Sequence, residues 1–242
     1  MSDTDDPKLK AFAEAVRLEA SKPDATPQFK ALAEDVIARV KRSPAYYYAL
    51  GSFVSEFSKV ETTLHSSLTI FAGVKHAVAQ AIFGGLKVEG RLQTIKRISD
   101  AKNWEPRKKE RLDEIVSRLG PINKLRNDIL HYGASLDLNA EDSWLVTNKE
   151  HVHIAEKIRE TSVTPKLLED ASADLRKIFF LIIALSFDDI SAERAPSIET
   201  EFEEFLKPAW RYKSPQPARK VGKSQQTRQK PPRQHRASRG KP

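Results

Sequence analysis

The residues best suited to chemistry lie between Arg126 and His131. The run Arg126-Asn127-Asp128-Ile129-Leu130-His131, followed by Tyr132-Gly133, sets a fixed cation, an amide, a carboxylate and an imidazole on little more than one helical turn. Imidazole titrates near neutral pH and can take the proton of a ribose 2′-hydroxyl. A guanidinium holds phosphate oxygens through paired hydrogen bonds and stabilises charge that builds on them. Together these groups suit metal-free cleavage of RNA. Asn127 can donate to a phosphate oxygen or orient the imidazole, and Asp128 is within reach of His131. One histidine cannot be base and acid at the same moment, so a symmetric dimer would supply the second.

Helical geometry constrains this set. Asn127 and His131 are four apart and share a face. Arg126 and His131 are five apart, about 140° around an ideal helix. They meet at one phosphate only if Arg126 wraps around, or if the helix is already unwinding towards Gly133. Arg126 also falls where the apolar stripe passes, between Ile122 and Ile129, so it needs a partner, another subunit or an anion. Glu61 could supply that partner from an earlier helix, or it is a solvated flank. The plainer reading of Arg126 and His131 is a polar helix end, where a protonated His near the C-terminus is favourable without any catalysis.

The elements that must position these residues are mainly helical. Leu9, Phe12, Val16 and Ala20 form one stripe of a short helix over residues 8–20. After Pro23, Thr26-Pro27 opens a second helix to about Arg42, with Phe29, Leu32, Val36 and Val40 inward. Ser43-Pro44 is expected to separate this arm (1–43) from the body (44–206). Leu50, Phe53, Phe57, Val60, Leu64, Leu68 and Phe71 step by three and four, predicting a long helix that Gly73 ends. The next helical stretch, 75–101, should split at Gly84-Gly85. Asn103-Trp104-Glu105-Pro106 is a turn, and Pro106 opens a helix carrying the motif. Pro121 should kink or break that helix, and Gly133 should cap it in a left-handed conformation.

Beyond Gly133 the period changes. Leu136 and Leu138 alternate, as do Trp144 and Val146, with turn residues Asn139 to Asp142 between them; this predicts a β-hairpin within 134–148. Val152 and Ile154 suggest a third strand. Thr164-Pro165 then starts a long helix to about Ile190, with Leu168, Ala171, Leu175, Ile178, Ile182 and Leu185 inward. A short acidic helix is expected from Ser197 to Leu206. The fold class is mainly α: a four-to-five-helix bundle with a small β-hairpin insertion, an N-terminal helical arm and a tail.

Composition narrows the function classes. The 242 residues contain no cysteine, which excludes disulfides and thiolate metal sites. No apolar run reaches the roughly 20 residues of a membrane span. With an acidic N-terminus that lacks an apolar core, this points to a cytoplasmic protein. His151 and His153 would face the same way on a strand, but with no third ligand nearby they make a poor metal site. No metal or other cofactor is expected. Tyr46-Tyr47-Tyr48 offers either stacking surfaces for bases or packing at the core boundary. The net charge of +8 belongs to one end: residues 207–242 hold twelve Lys or Arg and no Asp or Glu, leaving 29 bases against 33 acids elsewhere. This Pro-rich tail should be disordered. Arg219, Lys220, Lys223, Arg228, Lys230, Arg233, Arg236 and Arg239 would bind nucleic acid in a salt-dependent way; the alternative is a solubilising extension.

An Arg, a polar residue, three more and then His, late in a helical bundle, resembles the motif of the HEPN family of nucleases. Arg126-Asn127-Asp128-Ile129-Leu130-His131 matches its spacing, and Asn127 matches its usual polar second position. The resemblance covers roughly residues 45–190, with an aromatic-rich first helix bearing Glu56 and Glu61 and a final long helix. It implies a homodimeric, metal-independent endoribonuclease in which Arg126 and His131 are catalytic. Many relatives act in toxin–antitoxin or anti-phage defence systems, so a cognate antitoxin or defence partner is an implied partner beside RNA. Other relatives have lost activity, which makes an inactive interaction or RNA-binding module the alternative.

Overall fold

The computed structural model describes residues 7–137, 140, 143–152, 158–190 and 207–215. Six α-helices and three short strands follow in the order α1 (Pro7–Ala20), α2 (Pro27–Ala72), α3 (His76–Phe83), α4 (Val88–Ala101), α5 (Pro106–Tyr132), β1 (Ser135–Leu136), β2 (Trp144–Thr147), β3 (Glu160–Val163) and α6 (Pro165–Ile190), with a short 3₁₀ turn at Lys149–His151. The protein is thus mainly helical with a small antiparallel sheet.

The long apolar stripe does the organising. Phe53, Phe57, Val60, Leu64, Leu68 and Phe71 turn one face of α2 into the core, all at most 1% exposed. Burying such a stripe against another helix is what stabilises a helix of this length. The chief partner is α6, and α4 and α5 complete the bundle. Leu168, Ala171, Leu175, Ile178, Ile182 and Leu185 of α6 are all buried, as their spacing predicts. The Ser67 and Ser186 hydroxyls pair at 2.6 Å between α2 and α6, satisfying two buried polar groups.

Two prolines behave differently from the local expectation. Helix α2 runs unbroken through Pro44, so the N-terminal arm and the body share one helix. Helix α5 likewise runs through Pro121 to Tyr132, so of the kink or break expected there the break does not occur. A proline inside a helix removes one backbone donor and costs about 3 kcal/mol. Buried neighbours offset that cost: Tyr46 and Ala49 follow Pro44, and Leu119 and Ile122 flank Pro121. The arm is also less inward than its pattern suggests. Ala33 is buried, but Phe12, Phe29 and Leu32 are exposed at 54%, 39% and 58%, where the short α1 packs on α2.

Other punctuation is read as written. Thr26 Oγ1 accepts from the Phe29 N–H at 3.2 Å, with Pro27 in the first turn. Gly73 ends α2 in the left-handed region, at φ 64°. The chain breaks between α3 and α4 at Gly84-Gly85.

The sheet has order β1-β2-β3, antiparallel throughout. The expected hairpin is there, although β1 is only Ser135–Leu136 and the turn residues Asn139, Glu141 and Asp142 lie outside the described residues. The third strand is a correction. Val152 is not in a strand and Ile154 lies outside the described residues, whereas Glu160–Val163 pairs with β2, Trp144 opposite Val163. Trp144 stacks on Tyr46 with ring centroids 4.3 Å apart, which anchors the sheet to α2. Tyr46 is therefore a packing residue, and only Tyr47 and Tyr48 are exposed.

The start of the tail is a further correction. Residues 207–215 pack on α5 and α6 instead of being disordered. Asp174 Oδ1 accepts from the Arg211 N–H at 2.9 Å, and Oδ2 accepts from Tyr212 N–H at 2.9 Å. Trp210 Nε1 donates to Glu114 at 2.9 Å. Residues 197–206, expected as an acidic helix, and the eight basic tail residues from Arg219 to Arg239 lie outside the described residues.

Candidate functional site

Helix α5 aims Arg126 at α2. The guanidinium sits over the Phe57 ring, 5.2 Å from its centroid. Its Nη1 donates to Asn127 Oδ1 at 3.1 Å, and Nη2 lies 3.7 Å from Glu61 Oε2. This is how a cation on an apolar stripe is accommodated. An aromatic face receives the planar guanidinium, and a carboxylate at the stripe's edge balances the charge. Arg126 and Glu61 remain 31% and 32% exposed, so the pair opens to solvent and is screened there.

Asn127 shares a face with His131, yet its carbonyl oxygen is given to Arg126; it orients the cation, not the imidazole. Asp128 turns elsewhere as well. It pairs with Lys124 at 2.9 Å, and its charge bears on Tyr212 of the docked segment. Burial raises the pKa of that phenol, and Asp128 adds to the effect.

His131 is exposed, and its nearest ring neighbour is Tyr132, at 6.5 Å. The unwinding that would swing it towards Arg126 is absent: α5 stays helical through Tyr132, and the Gly133 N–H still donates to Ile129 O at 2.9 Å. Gly133 has φ 70° and ψ −176°, a conformation reserved for glycine, though not the left-handed helical cap expected. Within one chain, then, the structure joins Arg126, Asn127 and Glu61, and leaves His131 about 140° around the helix.

Two residues near this set escaped the sequence pattern. Arg91 of α4 donates from Nη1 to the Glu61 carbonyl oxygen at 3.0 Å. His65 lies one turn beyond Glu61 on α2, edge-on to His76 with ring centroids 6.3 Å apart. The only signal for His65 was its i,i+4 spacing from Glu61; Arg91 gave none. Among the described residues, no group of three or more His, Asp or Glu is placed to hold a metal ion, and no helix is long and apolar enough to cross a membrane.

The fold defines a mainly helical bundle with a small antiparallel sheet, and the site a carboxylate-clasped arginine near the end of its fifth helix. No protein-family model, curated protein or solved structure matches the chain.

Proposed function

We propose that the protein is a HEPN-type, metal-independent endoribonuclease acting as a homodimer, with Arg126 and His131 catalytic and Asn127 and Glu61 orienting Arg126. His131 of one subunit takes the 2′-hydroxyl proton, and the oxygen attacks phosphorus. The bond to the 5′-oxygen breaks, and the protonated His131 of the other subunit returns a proton to that oxygen. Arg126 stabilises charge on the phosphoryl oxygens. A toxin or anti-phage effector restrained by a partner protein is the setting this chemistry suits. The observation that carries the reading is Arg126 itself: it is pre-oriented by Phe57, Asn127 and Glu61, yet nearly a third open to solvent.

One observation favours a second reading, an inactive HEPN-like RNA-binding or interaction module. Arg126 already has a carboxylate partner, and no hydrogen bond links it to His131. Cleavage of labelled RNA in EDTA decides between them. General acid–base catalysis contributes about 10²–10⁴-fold, so His131→Ala and Arg126→Ala should each lose at least 100-fold while remaining folded. Unchanged cleavage in both variants refutes the catalytic assignment. RNA binding without cleavage by the unmodified protein supports the module.

A further inference from the structure

Beside Glu61, α2, α3 and α4 line an open groove of about 370 Å³. Ser58, Glu61, Thr62 and His65 of α2 recur at three- and four-residue steps, so they share one face along it. Arg91 of α4 and Gln80 of α3 line it too. Three polar atoms here are shut off from water and have no hydrogen-bond partner: Nδ1 and Nε2 of His65, and Nε of Arg91. Buried polar atoms are nearly always paired, and leaving one unpaired costs about 1–3 kcal/mol. Two neighbouring side chains carrying three such atoms, along one groove, mark a place where a ligand supplies the missing partners.

The donors and acceptors say what kind of ligand. Arg91 commits only Nη1, to Glu61 O, and keeps the rest of its fork. His65 has an N–H to give in either tautomer. Gln80 is exposed and adds an amide. The hydroxyl hydrogens of Ser58 and Thr62 are spent on the carbonyls of Val54 and Ser58, at 2.9 and 3.0 Å, so these side chains offer acceptor oxygens only. Anion-seeking donors next to hydroxyl acceptors suit a phosphate and the ribose that carries it. Glu61 joins the two places, with its carboxylate on Arg126 and its backbone oxygen on Arg91.

We propose that this groove is a second RNA subsite, in which Arg91 and His65 take a backbone phosphate and Thr62 accepts from a ribose hydroxyl, guiding the strand towards Arg126. The proposal rests on the RNA reading above, though not on cleavage. Binding of a fluorescein-labelled single-stranded RNA to the full chain carrying His131→Ala, with probe integrity followed on a denaturing gel, tests it by anisotropy over a salt series. Gln80→Glu adds a carboxylate at an exposed position and should weaken binding about tenfold. Arg91→Met should do the same and lower the salt slope by about 0.7, the share of one single-strand phosphate. RNA affinity unchanged by Gln80→Glu overturns the subsite whatever Arg91→Met does. That result leaves the cleavage reading intact if His131→Ala abolishes cutting. Weakened binding by both variants, with cutting unaffected by His131→Ala, keeps the subsite and refutes the catalytic assignment.

Discussion

Asp174 is the residue on which docking of the 207–215 segment turns, and its removal has a calculable effect. The side chain is 3% exposed, and its two oxygens receive two successive backbone N–H groups, those of Arg211 and Tyr212. Hydrogen bonds to a charged group contribute about 1.5–3 kcal/mol each. Asp174→Ala therefore takes about 3–6 kcal/mol from the attachment, less what the freed N–H groups regain in water. The other anchors survive: Arg118 and Lys177 both approach the Trp210 ring, at 5.0 and 4.4 Å from its centroid, and Lys177 Nζ donates to Pro208 O at 2.9 Å. These contacts are partly open to solvent and stabilise less. A net loss of about 3 kcal/mol multiplies the undocked population by roughly 150, since 1.4 kcal/mol is tenfold. Amide hydrogen exchange reads this directly. The N–H groups of Arg211 and Tyr212 should exchange about 100-fold faster in Asp174→Ala, while those in the middle of α6 keep their protection. Unchanged protection at Arg211 and Tyr212 refutes the anchoring role.

Two further predictions concern stability. Burial, with a smaller effect from Tyr47, pushes the Tyr46 pKa from 10 up to about 12. The folded state thus holds a proton that the unfolded chain releases first, so stability is full below pH 10 and falls as pH rises from 10 towards 12, by about 2–3 kcal/mol. Denaturant midpoints should drop over that window in the unmodified protein and much less in Tyr46→Phe; equal drops in both refute it. Pro121→Ala restores a donor opposite the Ser117 carbonyl in an otherwise continuous helix. It should raise stability by about 1–3 kcal/mol in urea unfolding at unchanged m-value, and a fallen midpoint would show that Pro121 fits the helix without cost.

What could be read from the chain follows from the range of the interactions involved. Helix α6 was legible because its stripe from Leu168 to Leu185 and its Thr164-Pro165 start are local signals, and both are realised. Pro44 does not separate arm from body, and Pro121 does not break α5, because the local rule counts one lost hydrogen bond and omits the tertiary burial on either side. Strand β3 was hidden because Glu160-Thr161-Ser162-Val163 shows no apolar alternation; its place is fixed by pairing with β2 and by the Ser143–Ser162 hydroxyl contact. In the tail, basic and proline-rich composition masked Trp210 and Tyr212, which find their partners on α5 and α6 at Glu114 and Asp174. Arg126's need for a partner was visible from its position on the stripe. That Arg91 would reach the backbone of the same glutamate was not, because a separation of thirty residues leaves no periodic trace.

Glu61 connects these observations. Its place is set by the core stripe of α2: with Phe57, Val60 and Leu64 buried, residue 61 must fall at the edge of the packed face, about a third open to solvent. There the carboxylate meets Arg126 and the carbonyl meets Arg91. At 3.7 Å and about one-third exposure the carboxylate's grip on Arg126 is weak, worth up to about 1 kcal/mol. A phosphate, offering Arg126 paired charge-assisted hydrogen bonds, outcompetes such a contact at small cost. Glu61 therefore positions Arg126 without disabling it. His131, held on another face by an intact last turn of α5, must then meet that phosphate from a second subunit, which makes dimerisation a requirement of the proposed chemistry.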